Sequence, residues 1–121
     1  MKVAISSQGK DIGALVDPRF GRARFLIFAD TEAEGWLPHD NSDNVNAGGG
    51  AGVQAGTAVA EQGAEAVITG NVGPNAARVL AAAGIAVYQA GNGVTVREAL
   101  EAFRRGELVA IQGATVQGHW Q

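Results

Sequence analysis

The sequence contains no cysteine. That excludes disulfides, thiolate nucleophiles, cysteine-type zinc sites and iron–sulfur clusters ligated by the chain's own thiolates. Imidazole is nearly as scarce. His39 and His119 are the only two histidines, and they stand eighty positions apart, a spacing that makes no metal motif. No apolar run approaches the length of a membrane span. The opening MKVAISSQGK lacks the apolar core and small-residue cleavage site of a signal peptide. The expected address is the cytoplasm, with no membrane partner. Basic charge is also short: nine Lys and Arg stand against twelve Asp and Glu, a formal net charge of −3. Such a balance exerts no overall pull on nucleic acid.

Catalytic groupings are missing too. Lys2–Ser7 (KVAISS) reads as a buried first strand, and it carries none of the carboxylates that a metal-dependent nuclease needs on its central strands. Ser6 and Ser7 end that strand with no histidine placed to serve as a base, so they read as hydrogen-bond donors. There is no G-K-[ST] phosphate loop. Gly50-x-Gly52-x-x-Ala55 fits G-x-G-x-x-A. It follows a polar loop after an edge strand, and no acidic residue ends the next strand, so dinucleotide binding is not expected. The chain is expected not to be an enzyme.

What is present is a chain of 121 residues with 18 glycines, a length suited to one domain. Val, Ile, Leu and Phe recur in short blocks between the small residues, the pattern of helices packed closely on a sheet. Arg22–Asp30 reads as a second strand. Trp36–Asp40 reads as a third, which Pro38 confines to an edge. Ala51–Gln62 is a helix with Val53, Gly56, Thr57 and Ala60 on one face, closed by Gly63. Ala66–Thr69 is strand four. Pro74 opens a second helix that stops at Gly84. Ile85–Gln89 is strand five. Thr95 and Glu98 form a capping-box pattern ahead of the stripe Val96, Ala99, Leu100 and Phe103, and Gly106 closes this third helix. The order predicts one α/β domain over residues 1–108 with helices on both faces of a mixed five-stranded sheet, strand two antiparallel. Residues 109–121 read as a weak strand or a tail.

Helical crossovers make strands three, four and five parallel. The loops Gln8–Gly21, Asn41–Gly50, Gly70–Gly73 and Ala90–Val94 then emerge on one edge, where open α/β sheets bind ligands. Arg19, Arg22 and Arg24 fall within six positions at that edge. Two helix N-termini, near Ala51 and Pro74, point free N–H groups at it, and Asn71 and Asn75 add amides. These parts together make a cradle for an anion.

Asp17–Ala23 (DPRFGRA), Gly48–Gly52 (GGGAG) and Gly70–Ala76 (GNVGPNA), with the Leu-Ala-Ala-Ala-Gly-Ile run after them, resemble the dinitrogenase iron–molybdenum cofactor biosynthesis family. That family comprises NifX-like carriers and an orange-protein branch that holds a mixed molybdenum–copper sulfide cluster. The likeness spans roughly Met1 to Leu108. Asn41–Gly52 contains neither His nor Cys, which makes the orange-protein branch the closer likeness. The resemblance implies a ribonuclease-H-like three-layer fold. It also implies non-covalent carriage of a molybdenum-containing metal–sulfur cluster, of the Mo–Cu or Fe–Mo type, between donor and acceptor proteins. By position it implies a site made of Arg19, Phe20, Gly21, Arg22, Gly49, Gly50, Ala51, Gly52, Asn71, Gly73, Pro74 and Asn75. His39 is the one candidate metal ligand and reads first as an exposed edge-strand histidine. A monomer or weak dimer is expected. Two other readings use the same cradle or none: a phosphate- or nucleotide-binding regulatory module, and a ligand-free interaction protein.

Overall fold

The computed structural model describes residues 1–42 and 50–113. Elements run in the order β1 (Lys2–Ser7), β2 (Phe25–Asp30), β3 (Trp36–Asp40), α1 (Ala51–Glu61), β4 (Ala66–Thr69), α2 (Pro74–Ala82), β5 (Ala86–Gln89), α3 (Val96–Arg104) and β6 (Val109–Ile111). The sheet order is β3-β2-β1-β4-β5-β6. β2 is antiparallel to both neighbours, with Ser7 opposite Phe25 and Phe25 opposite Asp40. β1, β4 and β5 are parallel, Ala4 opposite Val67 and Val67 opposite Val87.

Two expectations are corrected here. The sheet has six strands, not five: Val109–Ile111 pairs antiparallel with β5 through Val87–Ile111 and Gln89–Val109. β2 begins at Phe25 rather than Arg22. The residues before it are drawn off into a turn, where the Asn41 backbone N–H donates to the Arg24 carbonyl at 2.9 Å and its side-chain amide to the Ala23 carbonyl at 2.7 Å.

Strand alternation sorts the core into two halves. Ala4, Leu26, Phe28, Val67 and Val87 face α1 and α2, meeting Ala55, Val59, Ala76 and Leu80. Val3, Ile5, Ile27, Ala66 and Ile68 face the other way, against Val96, Ala99 and Leu100 of α3. Tyr88 and Phe103 extend the second half edge to face, 4.9 Å between ring centroids. Helices therefore cover both faces, the three-layer arrangement expected.

Helix limits follow local chemistry. Pro74 opens α2, the Thr95–Glu98 capping box opens α3, and Gly63, Gly84 and Gly106 follow the three helices at φ +78°, +73° and +71°. The buried face of α1 differs from the expected one. Val53 is 39% exposed and Thr57 is exposed; Gly52, Ala55, Gly56 and Val59 turn inward. Ala55 and Val59 enter the core, and Gly56, common to both faces, is where α2 comes close: a Cβ on it would lie 2.9 Å from Val79 Cγ1. The inward face thus combines an apolar residue, Val59, with small ones that let the two helices approach closely.

Candidate functional site

Among the described residues the buried polar side chains are Ser6, Ser7, Asp17, Asn41 and Thr69. All five lie at the carboxyl end of the parallel strands: Ser6 and Ser7 end β1, Thr69 ends β4, Asn41 follows β3, and Asp17 is in the loop after β1. A buried polar group costs free energy unless it is hydrogen-bonded, and here the bonds hold the loops. Ser6 Oγ is 2.7 Å from both the Asp17 carbonyl and Thr69 Oγ1. The Asp17 N–H donates to the Ser6 carbonyl at 2.9 Å. Gln89 Nε2 donates to the Gly70 carbonyl at 3.0 Å.

The arginine loop is thereby laid across two other segments. Phe20 N–H donates to the Asn71 carbonyl at 3.2 Å, and Arg19 pairs alongside Asn71 as a one-residue parallel bridge. A Cβ on Gly21 would lie 2.7 Å from Gly52 Cα and 2.8 Å from Gly52 N, so the loop backbone rests directly on the first turn of α1. Gly70 meets Pro18 in the same way, 2.7 Å from its Cα. Three loops that are distant in sequence share one patch of surface.

α1 and α2 both begin at that patch, from Gly50 and Gly73. Neither has a side-chain cap, and neither carries an acidic residue in its first turn. α3 has both. A helix N-terminus carries a partial positive charge that favours a nearby anion.

The individual residues are placed as follows. Arg19 has its side chain 48% exposed, and its Nε lies 3.7 Å from Asp17 Oδ1. Arg22 is half-buried between buried Gly21 and Ala23. Phe20 is 1% exposed and its ring belongs to the core cluster facing α1 and α2, so it anchors the loop. Ala51 and Gly52 are buried in the first turn of α1, and Gly73 is buried before Pro74. Asn71 is half-buried beside a cavity of about 320 Å³ that Gln89, Gly91 and Asn92 also line. Asn75 accepts a hydrogen bond from Arg78 Nη2, which brings a further cation to the start of α2. Gly49 and His119 lie outside the described residues. His39 is half-buried with its ring edge-on to Phe28, centroids 6.1 Å apart. Among the described residues no three His, Cys, Asp or Glu side chains group as a metal site.

Sequence reasoning missed Asn41, Thr69 and Arg78. For the first two the available signal was a polar residue closing an apolar strand. Asp17 is the one buried carboxylate in the set. Burial pushes its carboxyl above the usual range, opposed by the Arg19 backbone N–H and guanidinium.

The model of the family described as dinitrogenase iron-molybdenum cofactor matches residues 1–106. The chain belongs to that family. Among solved structures, the apo orange protein from Desulfovibrio gigas is 36% identical, with 95% of this chain and 96% of that one aligned at a TM-score of 0.91. A putative NifB protein from Thermotoga is 37% identical over 95% and 97% of the two chains, at a TM-score of 0.83. No curated protein matches. Members of the dinitrogenase iron–molybdenum cofactor family bind and carry a molybdenum-containing metal–sulfur cluster non-covalently, and they are carriers rather than enzymes. Among the described residues of this member no helix is long and apolar enough to cross a membrane.

Proposed function

We propose that the cluster is held at the carboxyl edge of the sheet, by Arg19 and Arg22, by the N-termini of α1 and α2 at Gly50–Gly52 and Gly73–Pro74, and by the amides of Asn71 and Asn75. The supporting observation is the backbone contact of Gly21 with Gly52 together with the Phe20–Asn71 hydrogen bond. These two contacts put an arginine-bearing loop against the start of α1 and the loop that leads into α2.

The cargo explains why such parts suit the task. A molybdenum–sulfide cluster brings its own sulfur and a net negative charge. A chain without cysteine holds it through charge-assisted hydrogen bonds to its sulfides, which are about twice as strong as neutral ones. Each helix terminus adds about 0.3–1 kcal/mol for a nearby anion, more when partly buried. Contacts of this kind bind reversibly, as passing a cluster from a donor to an acceptor protein in the cytoplasm requires.

The test is reconstitution. The purified protein is incubated anaerobically with tetrathiomolybdate and Cu(I), desalted, and its visible spectrum recorded. A coloured, stoichiometric complex is expected, and Arg22→Ala should weaken it by about tenfold or more, the loss of one hydrogen bond to a charged group. No retained colour, with thermal stabilisation by a nucleotide instead, would replace this reading with the phosphate-binding one.

A further inference from the structure

Arg19 already has an anionic partner. Asp17 Oδ1 accepts from the Arg19 N–H at 2.9 Å and lies 3.7 Å from Arg19 Nε. The two partners differ in freedom. The Asp17 side chain is 8% exposed and that of Arg19 is 48% exposed. The Asp17 main chain is fastened on both sides to Ser6, through its N–H at 2.9 Å and its carbonyl at 2.7 Å. The carboxylate is the buried, backbone-anchored partner and the guanidinium the exposed one.

We propose that Asp17 sets how tightly the site holds its cargo, as the resident counter-ion of Arg19 that an anionic cargo has to draw away. The inference rests on the carrier reading above. Arg19 is one cation facing two anions. If it turns to the cargo, a buried carboxylate loses its countercharge, which is costly in a desolvated place. If it stays with Asp17, the cargo settles beside an uncancelled negative charge, which is also unfavourable. Both routes weaken binding relative to a site with no carboxylate. The groups packed around the turn, Ser6 and Ser7 of β1, Thr69 of β4, and Asn71 and Val94 in the flanking loops, bring no second charge. A carrier has to give up its cargo, and a built-in competitor keeps the complex from becoming a trap.

The charge can be removed without the turn. Asp17→Asn keeps Oδ1 as acceptor for the Arg19 N–H, whereas Asp17→Ala removes both. Each protein is loaded with tetrathiomolybdate and Cu(I), and colour loss is followed after dilution. The D17N protein should release its cargo about two- to fivefold more slowly than wild type, the range for removing one partly exposed ion-pair partner. In an Arg19→Gln background the same Asn substitution should have a clearly different effect, because the two residues act as a pair. A merely structural role for Asp17 predicts faster release from D17N, and equal or faster release would overturn the proposal. A readout independent of stability is the Arg19 Nε–H resonance of the wild-type protein: it should move on loading by either route, because the guanidinium turns to the cargo or the cargo's charge settles beside it, and a resonance that stays in place would also overturn the proposal. Wild type that retains no colour sinks the carrier reading together with this one. Retention by wild type with unchanged release from D17N sinks this inference alone.

Discussion

Gly21 occupies a position where a single methyl group has nowhere to go. A Cβ there would fall 2.7 Å from Gly52 Cα and 3.2 Å from the Ala51 carbonyl carbon, both backbone atoms of α1's first turn that have no rotamer to change. Gly21→Ala is therefore expected to force the loop off the helix, costing about 1–3 kcal/mol as overpacking usually does. It should also lower cargo retention by separating Arg22 from the helix start. Urea melts and the reconstitution assay measure the two effects. The converse holds for Phe20, whose motif position pointed to the site while its 1% exposure puts the ring in the core. DPRFGRA is visible in the sequence, but which members anchor, which make room and which present charge depends on what packs behind them. Asp17 shows this most clearly: by spacing it is a neighbour of Arg19, and only the structure shows that its carboxylate is buried beside the exposed guanidinium.

The helices divide by how they begin. α3 satisfies its first turn with Thr95 Oγ1 accepting from Glu98 N–H at 3.1 Å and Glu98 Oε1 accepting from Thr95 N–H at 2.9 Å. Thr95→Ala should cost about 1 kcal/mol, read by chemical denaturation, and leave cargo retention unchanged, because this cap serves the fold. α1 and α2 have no such side chains at Gly50 and Gly73. Their starts were legible from Pro74 and the glycine stretch, and their ends from the glycines that follow. The rotation of α1 was not. Ala and Gly differ little in hydrophobicity, so a face made of them gives a weak periodic signal, and the burial of Ala55 and Val59 against the core marks the orientation. β6 was hard to read for a related reason. Three residues at a sheet edge, with Val109 70% exposed, carry almost no burial pattern.

Across the molecule, the proposed site joins segments anchored in both halves of the core. Phe20 and Val72 belong to the half facing α1 and α2, while Val16 belongs to the half facing α3. Cargo that touches the intervening loops binds only when both halves are assembled. Loading should therefore stabilise the whole domain, by about 2.7 kcal/mol at free ligand a hundredfold above Kd. Thermal or urea unfolding of loaded and apo protein measures it, and a single cooperative transition shifted upward is the expected result.

The sequence by itself determined the order of the first eight elements, the helix boundaries and the alternating faces of the strands, because these arise from local caps, turn residues and period-two burial. It also determined that any metal–sulfur cargo is held without thiolates, since there are none. Only the tertiary structure decided that Gly21 abuts Gly52, that Gly70 abuts Pro18, and that, among the described residues, five polar side chains are buried at one end of the sheet. Those are contacts between residues far apart in the chain, and they are set by which backbones can approach when the two core halves close.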